Sequence, residues 1–132
     1  MKGVYLVLFQ KITLSFLEVG TGGFFKGKNP NVSFETLKKN WVDNAKVMYI
    51  GKAGSNNGNA TLHSRLNQYL KFGQGKNIGH WGGRLIWQFK NSSDLIVCCK
   101  KLPAEEPREV EGALIQSFIK QFGKRPFANL AD

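Results

Sequence analysis

The chain has 132 residues, of which 42% are hydrophobic and 12% aromatic, a composition that excludes a disordered chain and suffices for one buried core. Its formal net charge of +10 favours a polyanionic partner, most commonly nucleic acid. The plainer alternative is a basic globular protein that binds no polyanion. The apolar run at residues 4–9 is too short for a membrane span or a signal-peptide core, so we expect a cytoplasmic protein with no membrane contact.

The two cysteines of the chain, Cys98 and Cys99, are adjacent in a predicted strand. Successive strand side chains point to opposite faces, so these two thiols should not form a disulfide with each other. The lack of a cysteine framework favours a reducing compartment. No CxxC motif or histidine pair accompanies the cysteines, so we expect no metal role for them.

The hydrophobic pattern predicts one domain over residues 1–132, because the chain has no internal repeat and no linker. The expected class is α+β, with a small central antiparallel β-sheet flanked by helices. Strands are predicted at residues 3–9, 12–19, 47–50, 85–89 and 95–99, the last two as a hairpin. Helices are predicted to begin at Ser33, Thr61 and Glu106 and to end near Trp41, Phe72 and Gly123.

Apolar residues at helical spacing are expected to face the core in the first two helices. These residues are Phe34, Leu37 and Trp41 in the first helix, and Leu62, Leu66, Tyr69 and Leu70 in the second.

A glycine-rich loop at residues 20–30 also carries Phe24, Phe25, Lys26 and Lys28. Such a loop can contact nucleic acid by stacking and charge. It can equally be a surface excursion whose phenylalanines pack on the core. We slightly favour the second interpretation, because glycines also serve turns.

The stretch at residues 47–70 combines the features that suit a phosphate site. A strand stops at Gly51 and presents Lys52, and the next helix carries Arg65 and Tyr69. The planar guanidinium of an arginine matches the oxygens of a phosphate group. Each residue alone is more simply explained as an ordinary core or surface position.

Several short motifs resemble those of the GIY-YIG nuclease family, in the family's order along the whole chain. They are Gly3-Val4-Tyr5 (valine replacing isoleucine), Tyr49-Ile50-Gly51, Lys52, Arg65, Tyr69, His80, EPREVEGALI at 106–115 and Pro126-Phe127-Ala128-Asn129. The chain departs from the family in spacing, since Tyr5 and Tyr49 are 44 positions apart rather than joined by a short hairpin. Residues 10–46 would then be an insertion between the two signature strands.

The resemblance implies a divalent-metal-dependent DNA endonuclease that uses one Mg²⁺ or Mn²⁺ ion. It places Glu111 at the family's metal-binding glutamate, although Glu106 and Glu109 are near in sequence. The catalytic set that it implies is Tyr5, Tyr49, Lys52, Arg65, Tyr69, His80, Glu111 and Asn129.

The chemistry of phosphodiester hydrolysis gives these residue types distinct tasks. A single carboxylate can hold Mg²⁺ together with several waters, and Arg65 can stabilise the charge on the phosphate. A tyrosine or Lys52 would activate the water, and a nearby cation would lower the ordinary tyrosine pKa of about 10. Asn129 would hydrogen-bond either Glu111 or a backbone group.

The remaining basic residues are expected to contact the phosphate backbone without sequence choice. The nucleic-acid-binding candidates are Lys71, Lys76, Arg84, Lys124 and Arg125. The main alternative function is a non-cleaving, basic nucleic-acid-binding module of the same fold. A weaker one is a protein-interaction domain that uses the 20–30 loop. A nuclease of this size would need a homodimer or a targeting partner to make paired cuts.

Overall fold

A computed structural model of the protein describes residues 1–9, 16–17, 19–55, 61–76, 81–88 and 95–130, without the side chains of residues 25 and 81–83. The strands are β1 (Gly3–Leu8), β2 (Val47–Ala53) and β3 (Ile96–Lys101). The α-helices are α1 (Phe34–Asn40), α2 (Leu62–Gly73) and α3 (Pro107–Phe122). Short 3₁₀ helices lie at Phe25–Gly27 and Trp81–Gln88. The predicted α+β class is confirmed.

The described strands form one antiparallel sheet in the order β2-β1-β3. The central strand β1 is almost entirely apolar, and Val4, Tyr5 and Val7 are buried on its two faces, as the continuous apolar run predicted. Its register sets Tyr5 opposite Gly51 in β2 and opposite Cys99 in β3. This register decides which side chains share a sheet face with Tyr5.

The main core cluster lies where one side of the sheet meets α2 and the second 3₁₀ helix. Its members include Tyr5, Val7, Tyr49, Leu62, Tyr69, Leu85, Ile86 and Phe127. Helix α3 contacts β1 and β2, and its buried residues Ile115 and Phe118 lie outside this cluster. The sheet is thus packed against two groups of elements.

Local capping signals account for the helix ends. The Ser33 hydroxyl accepts a backbone N–H at the start of α1, and Thr61 forms a reciprocal capping box with Ser64 at the start of α2. Pro107 occupies the first turn of α3, and Gly123 ends that helix with a left-handed φ of 82°. The predicted boundaries at these positions are confirmed.

The predicted hairpin of residues 85–89 and 95–99 is wrong. Residues Trp81–Gln88 form a 3₁₀ helix, and β3 pairs with β1 instead. The consecutive residues Leu85 and Ile86 are both fully buried, and a short apolar run of this kind fits a buried strand and a buried helical turn equally well. The turn predicted between the two strands lies outside the described residues.

Two smaller expectations also fail. Strand β2 does not stop at Gly51 but continues to Ala53. Phe34 and Leu70, both predicted to face the core, are 46% and 52% exposed. The predicted strand at 12–19 falls mostly outside the described residues.

Gln88 connects the segment between β1 and β2 to the second 3₁₀ helix. Its side chain is buried, its Oε1 accepts the Val32 N–H at 2.8 Å, and its Nε2 donates to the carbonyls of Val32 at 2.9 Å and Leu17 at 3.2 Å. These three hydrogen bonds replace those that the Gln88 amide would make with water. The connecting segment is therefore anchored to the body of the protein.

Candidate active site

Three tyrosines pack against one another between the sheet and α2. The ring centroids of Tyr5, Tyr49 and Tyr69 lie 6.1 to 6.2 Å apart, and all three side chains are buried. Tyr49 lies two residues before Gly51, the partner of Tyr5, so both tyrosines project from the same sheet face. The register of β1 and β2 therefore brings the two signature tyrosines together across the long connection.

Gly51 makes this arrangement possible. A Cβ atom at Gly51 would overlap the phenol end of the Tyr5 ring. The aromatic ring thus lies across the glycine backbone, a close approach that no other residue permits. The glycine is required by packing, because its backbone is ordinary β-strand.

Arg65, in the first half of α2, reaches the hydroxyl end of the tyrosine pair. Its guanidinium is hydrogen-bonded to Tyr5, and its charge acts on Tyr49 as well. The hydroxyls of Tyr5 and Tyr49 are hydrogen-bonded to each other. Nη1 of Arg65 also donates to Oε1 of Gln68 at 3.1 Å, which holds the side chain along α2. Arg65, Tyr5 and Tyr49 thus form one hydrogen-bonded chain.

Burial raises the pKa of all three tyrosines above the ordinary value of 10.0. For Tyr5, burial is the largest cause, the neighbouring Tyr49 adds to it, and Arg65 acts in the opposite direction. Arg65 lowers the pKa of Tyr5 and of Tyr49, as expected for a neighbouring cation, but the net shift of each is upward. The low-dielectric surroundings outweigh the arginine, so the phenols are protonated at neutral pH.

Glu111 approaches the same place from α3. Its side chain is half-buried, and its negative charge contributes to the raised pKa of Tyr49. An acidic and a basic side chain, Glu111 and Arg65, thus act on one phenol from different helices. Four residues from four separate elements share this site: Tyr5, Tyr49, Arg65 and Glu111.

Asn129 hydrogen-bonds to the backbone of β2. A backbone group was one of the two partners expected for this side chain, and Glu111 was the other. Its Oδ1 accepts the Ile50 N–H at 2.8 Å, and its Nδ2 donates to the Ile50 carbonyl at 2.9 Å. One residue earlier, the Ala128 N–H donates to the Met48 carbonyl at 2.8 Å. The C-terminal segment thus pairs with the outer edge of β2, on both sides of Tyr49.

The remaining predicted catalytic residues, Lys52, Tyr69 and His80, differ in their placement. Lys52 is exposed, and strand alternation places it on the opposite face of β2 from Tyr49. Tyr69 is buried and packs against the rings of Tyr5, Tyr49 and Trp87. His80 lies outside the described residues.

The predicted nucleic-acid-binding residues differ in exposure. Lys76, Lys124 and Arg125 are exposed, whereas Lys71 and Arg84 are half-buried. Burial lowers the pKa of Arg84. Lys124 also donates to the Lys39 carbonyl near the end of α1 at 3.2 Å.

Trp87 and Gly73 support the site, although no sequence pattern pointed to them. The indole of Trp87 lies 5.1 Å from the Tyr69 ring and covers Gly73, where a Cβ would overlap it. The contact joins α2 to the second 3₁₀ helix, and no local signal predicts such a tertiary contact.

The donor set suits a hydrated hard cation. Among the described residues, no group of three or more histidine, cysteine, aspartate or glutamate side chains could hold a metal ion. Mg²⁺ commonly binds through one or two carboxylates and keeps several waters. A half-buried glutamate whose charge acts on the Tyr49 phenol fits that mode of binding.

In the part of the chain that the structure describes, no helix is long and apolar enough to cross a bilayer. Comparison with protein-family models, with curated proteins and with solved structures gives no match. The functional conclusion therefore depends on the site itself.

Proposed function

We propose that the protein is a divalent-metal-dependent DNA endonuclease that hydrolyses phosphodiester bonds. The observation that carries the proposal is the convergence of Arg65 and Glu111 on the Tyr5–Tyr49 pair. Core packing alone explains two buried aromatic rings. It does not explain why a guanidinium and a carboxylate from different helices act on the same phenol, that of Tyr49.

Each residue of the site has a task in hydrolysis. Arg65 offers parallel N–H donors to the phosphate oxygens and stabilises the charge that grows in the transition state. Glu111 would hold a Mg²⁺ or Mn²⁺ ion, which would supply further positive charge and a more acidic bound water. The hydroxyl of Tyr49 is hydrogen-bonded to that of Tyr5, which holds the two hydroxyls in fixed relative positions.

The tyrosines orient the attacking water as hydrogen-bonding groups. Their raised pKa values keep the phenols protonated in the free protein, so neither is a ready base at neutral pH. Tyr5 fixes the hydroxyl of Tyr49, and Arg65 fixes that of Tyr5. This chain positions one hydroxyl for the water or for a phosphate oxygen.

The charge distribution supports a polyanionic substrate. No acidic residue occurs between Asp43 and Asp94, a stretch that contains β2 and α2. Acidic residues gather instead near the start of α3, from Glu105 to Glu111. Nucleic acid would therefore approach from the α2 side, and the choice of DNA over RNA rests on the family resemblance.

The test is nicking of supercoiled plasmid, with duplex, single-stranded and branched substrates alongside, in Mg²⁺ or Mn²⁺ and in chelator. We expect metal-dependent cleavage that falls at least about 100-fold in Glu111→Ala and in Arg65→Ala, because each removes charge stabilisation from the transition state. Glu109→Ala, an exposed change in the first turn of the same helix, is the matched control and should retain activity. Cleavage that survives both site substitutions contradicts the assignment.

The non-cleaving binding module is the second candidate, and one observation favours it. The protonated tyrosines leave no evident general base among the described residues of the site. Tight, salt-dependent binding with no cleavage of any substrate would select this candidate.

A further inference from the structure

An exposed aromatic and basic turn projects from the connection between β1 and β2. We call residues 20–28 the insertion tip. Phe24 is 51% exposed, and Lys26 and Lys28 are exposed beside it. The slightly favoured expectation that the phenylalanines pack on the core is wrong for Phe24.

The base of the insertion tip is fixed to the body of the protein. The Gly23 N–H donates to the Phe72 carbonyl at 2.9 Å, and the Thr21 N–H donates to the Trp87 carbonyl at 3.2 Å. Cβ atoms at Gly22 and Gly23 would overlap α2 residues and the turn that follows α2. Phe24 is therefore presented by an anchored backbone, which lowers the entropy lost when a ligand binds.

The backbone of the insertion tip is strained at a charged residue. Lys26 has φ 55° and ψ 32°, in the left-handed region that residues with a Cβ rarely adopt. Gly27 follows with φ 75°. Strain of this kind is retained most often where it serves binding or catalysis.

The charged residues near Phe24 in the sequence are of one sign. Between Glu18 and Glu35 the only charged residues are Lys26 and Lys28, and α2 contains no acidic residue. Exposed Lys76 lies in the turn that follows α2. Its carbonyl oxygen is the atom that a Cβ at Gly23 would overlap, so this lysine lies next to the insertion tip. Aromatic rings set among cations suit single-stranded nucleic acid, in which unpaired bases can stack on a ring while phosphates meet lysines.

Helix α2 connects the insertion tip to the candidate active site. Arg65 lies near its start and Phe72, which binds the tip, lies in its last turn. The seven intervening steps rise about 10 Å at 1.5 Å per residue. At roughly 3.4 Å per nucleotide in one strand, this is a reach of about three nucleotides.

The geometry points to the insertion tip as a second nucleic-acid contact, in which Phe24 stacks on an unpaired base and Lys26 and Lys28 bind the neighbouring phosphates. This inference rests on the proposed function only in taking nucleic acid as the substrate. It adds one feature of that substrate, an unpaired segment about three or more nucleotides from the cleaved bond.

The test measures binding in chelator, so that cleavage does not enter. Fluorescence anisotropy compares a labelled single-stranded oligonucleotide with its duplex for the wild type and Phe24→Ala. We expect Phe24→Ala to weaken single-strand binding about 5- to 150-fold, the cost of one lost base stack, and duplex binding less than about twofold. Phe34→Ala, at an equally exposed phenylalanine on α1, should leave both affinities unchanged.

Two further variants separate stacking from charge. Phe24→Trp should bind as the wild type, and its indole emission should change when single-stranded DNA is added. The double variant Lys26→Gln/Lys28→Gln should bind both oligonucleotides more weakly, and the slope of log affinity against log salt concentration should fall by up to about two. The control double variant Lys38→Gln/Lys39→Gln, on α1, should leave both the affinities and the slope unchanged.

Equal single-strand affinity for the wild type and Phe24→Ala, with unchanged Phe24→Trp emission, would overturn the inference even if the protein cleaves DNA. The expected affinity pattern in a protein that cleaves nothing would instead uphold the insertion tip and contradict only the proposed reaction.

Discussion

Gly51 shows how one residue without a side chain determines the site. The ring of Tyr5 occupies the space that any Cβ at this position would need. The glycine therefore fixes where the hydroxyl of Tyr5 lies relative to Tyr49. A substitution here should act on stability and on the geometry of the site together.

Gly51→Ala should lower the free energy of unfolding by about 1–3 kcal/mol, because the added methyl overpacks a filled site. Urea unfolding followed by tryptophan fluorescence measures the change. Gly112→Ala is the matched control: its Cβ would meet open space in a helix, so stability should rise by roughly 0.5–1 kcal/mol. Equal midpoints for Gly51→Ala and the wild type would show that the ring does not occupy this position.

The three tyrosines of the chain all belong to the cluster, so an alkaline titration monitors this site alone. Their folded pKa values are raised above 10.0. These tyrosines therefore leave the free energy of unfolding unchanged below about pH 10 and lower it above that pH. There, tyrosines of the unfolded chain lose protons and those of the folded protein keep them.

We expect no tyrosinate absorbance from the folded protein at about pH 10, and ionisation near that pH once denaturant is added. The wild type should also lose stability above about pH 10 more steeply than Tyr5→Phe, which has one such phenol fewer. A tyrosine that ionises below about pH 10 in the folded protein would contradict the burial of the cluster.

At the scale of elements, the C-terminal segment acts as a partner for an edge strand. An unpaired strand edge invites association with other chains. Asn129 imitates a strand residue by accepting from the N–H and donating to the carbonyl of Ile50. The segment thereby fixes the backbone next to Tyr49 and covers part of the edge of β2.

Asn129→Asp should lower the free energy of unfolding by about 1–3 kcal/mol, because a carboxylate oxygen would replace the amide donor and face the Ile50 carbonyl. Asn129→Ala should lose both hydrogen bonds as well. Thermal or urea unfolding measures these effects, and exposed Asn67→Ala on α2 should stay within about 0.5 kcal/mol of the wild type. No change in Asn129→Asp would exclude the two-bond contact.

At the scale of the whole molecule, the elements predicted from the sequence are those with local signals. The caps at Ser33 and Thr61 and the stop at Gly123 are chemistry of adjacent residues, and the structure has them. The 3₁₀ helix Trp81–Gln88 depends on contacts with distant segments, which periodicity does not contain. The exposure of Phe34 and Leu70 likewise depends on which neighbours cover them.

The candidate site, too, could be predicted from the sequence only in part. Ordered motifs named Tyr5, Tyr49, Arg65 and Glu111, and these residues come together only because β1 and β2 are neighbours in the sheet. The sequence did not indicate that Lys52 would face away from the tyrosines. It also did not indicate the support that Trp87 gives to Tyr69, since that contact spans two elements.

The central claim is that Glu111 and Arg65 act in the chemical step and not only in binding. The most direct measurement is the single-turnover cleavage rate in Mg²⁺, at protein concentrations that saturate the DNA, for the wild type, Glu111→Gln and Arg65→Lys. We predict that both variants bind DNA within about threefold of the wild type and cleave it at least about 100-fold more slowly. Wild-type cleavage rates in both variants would contradict the claim.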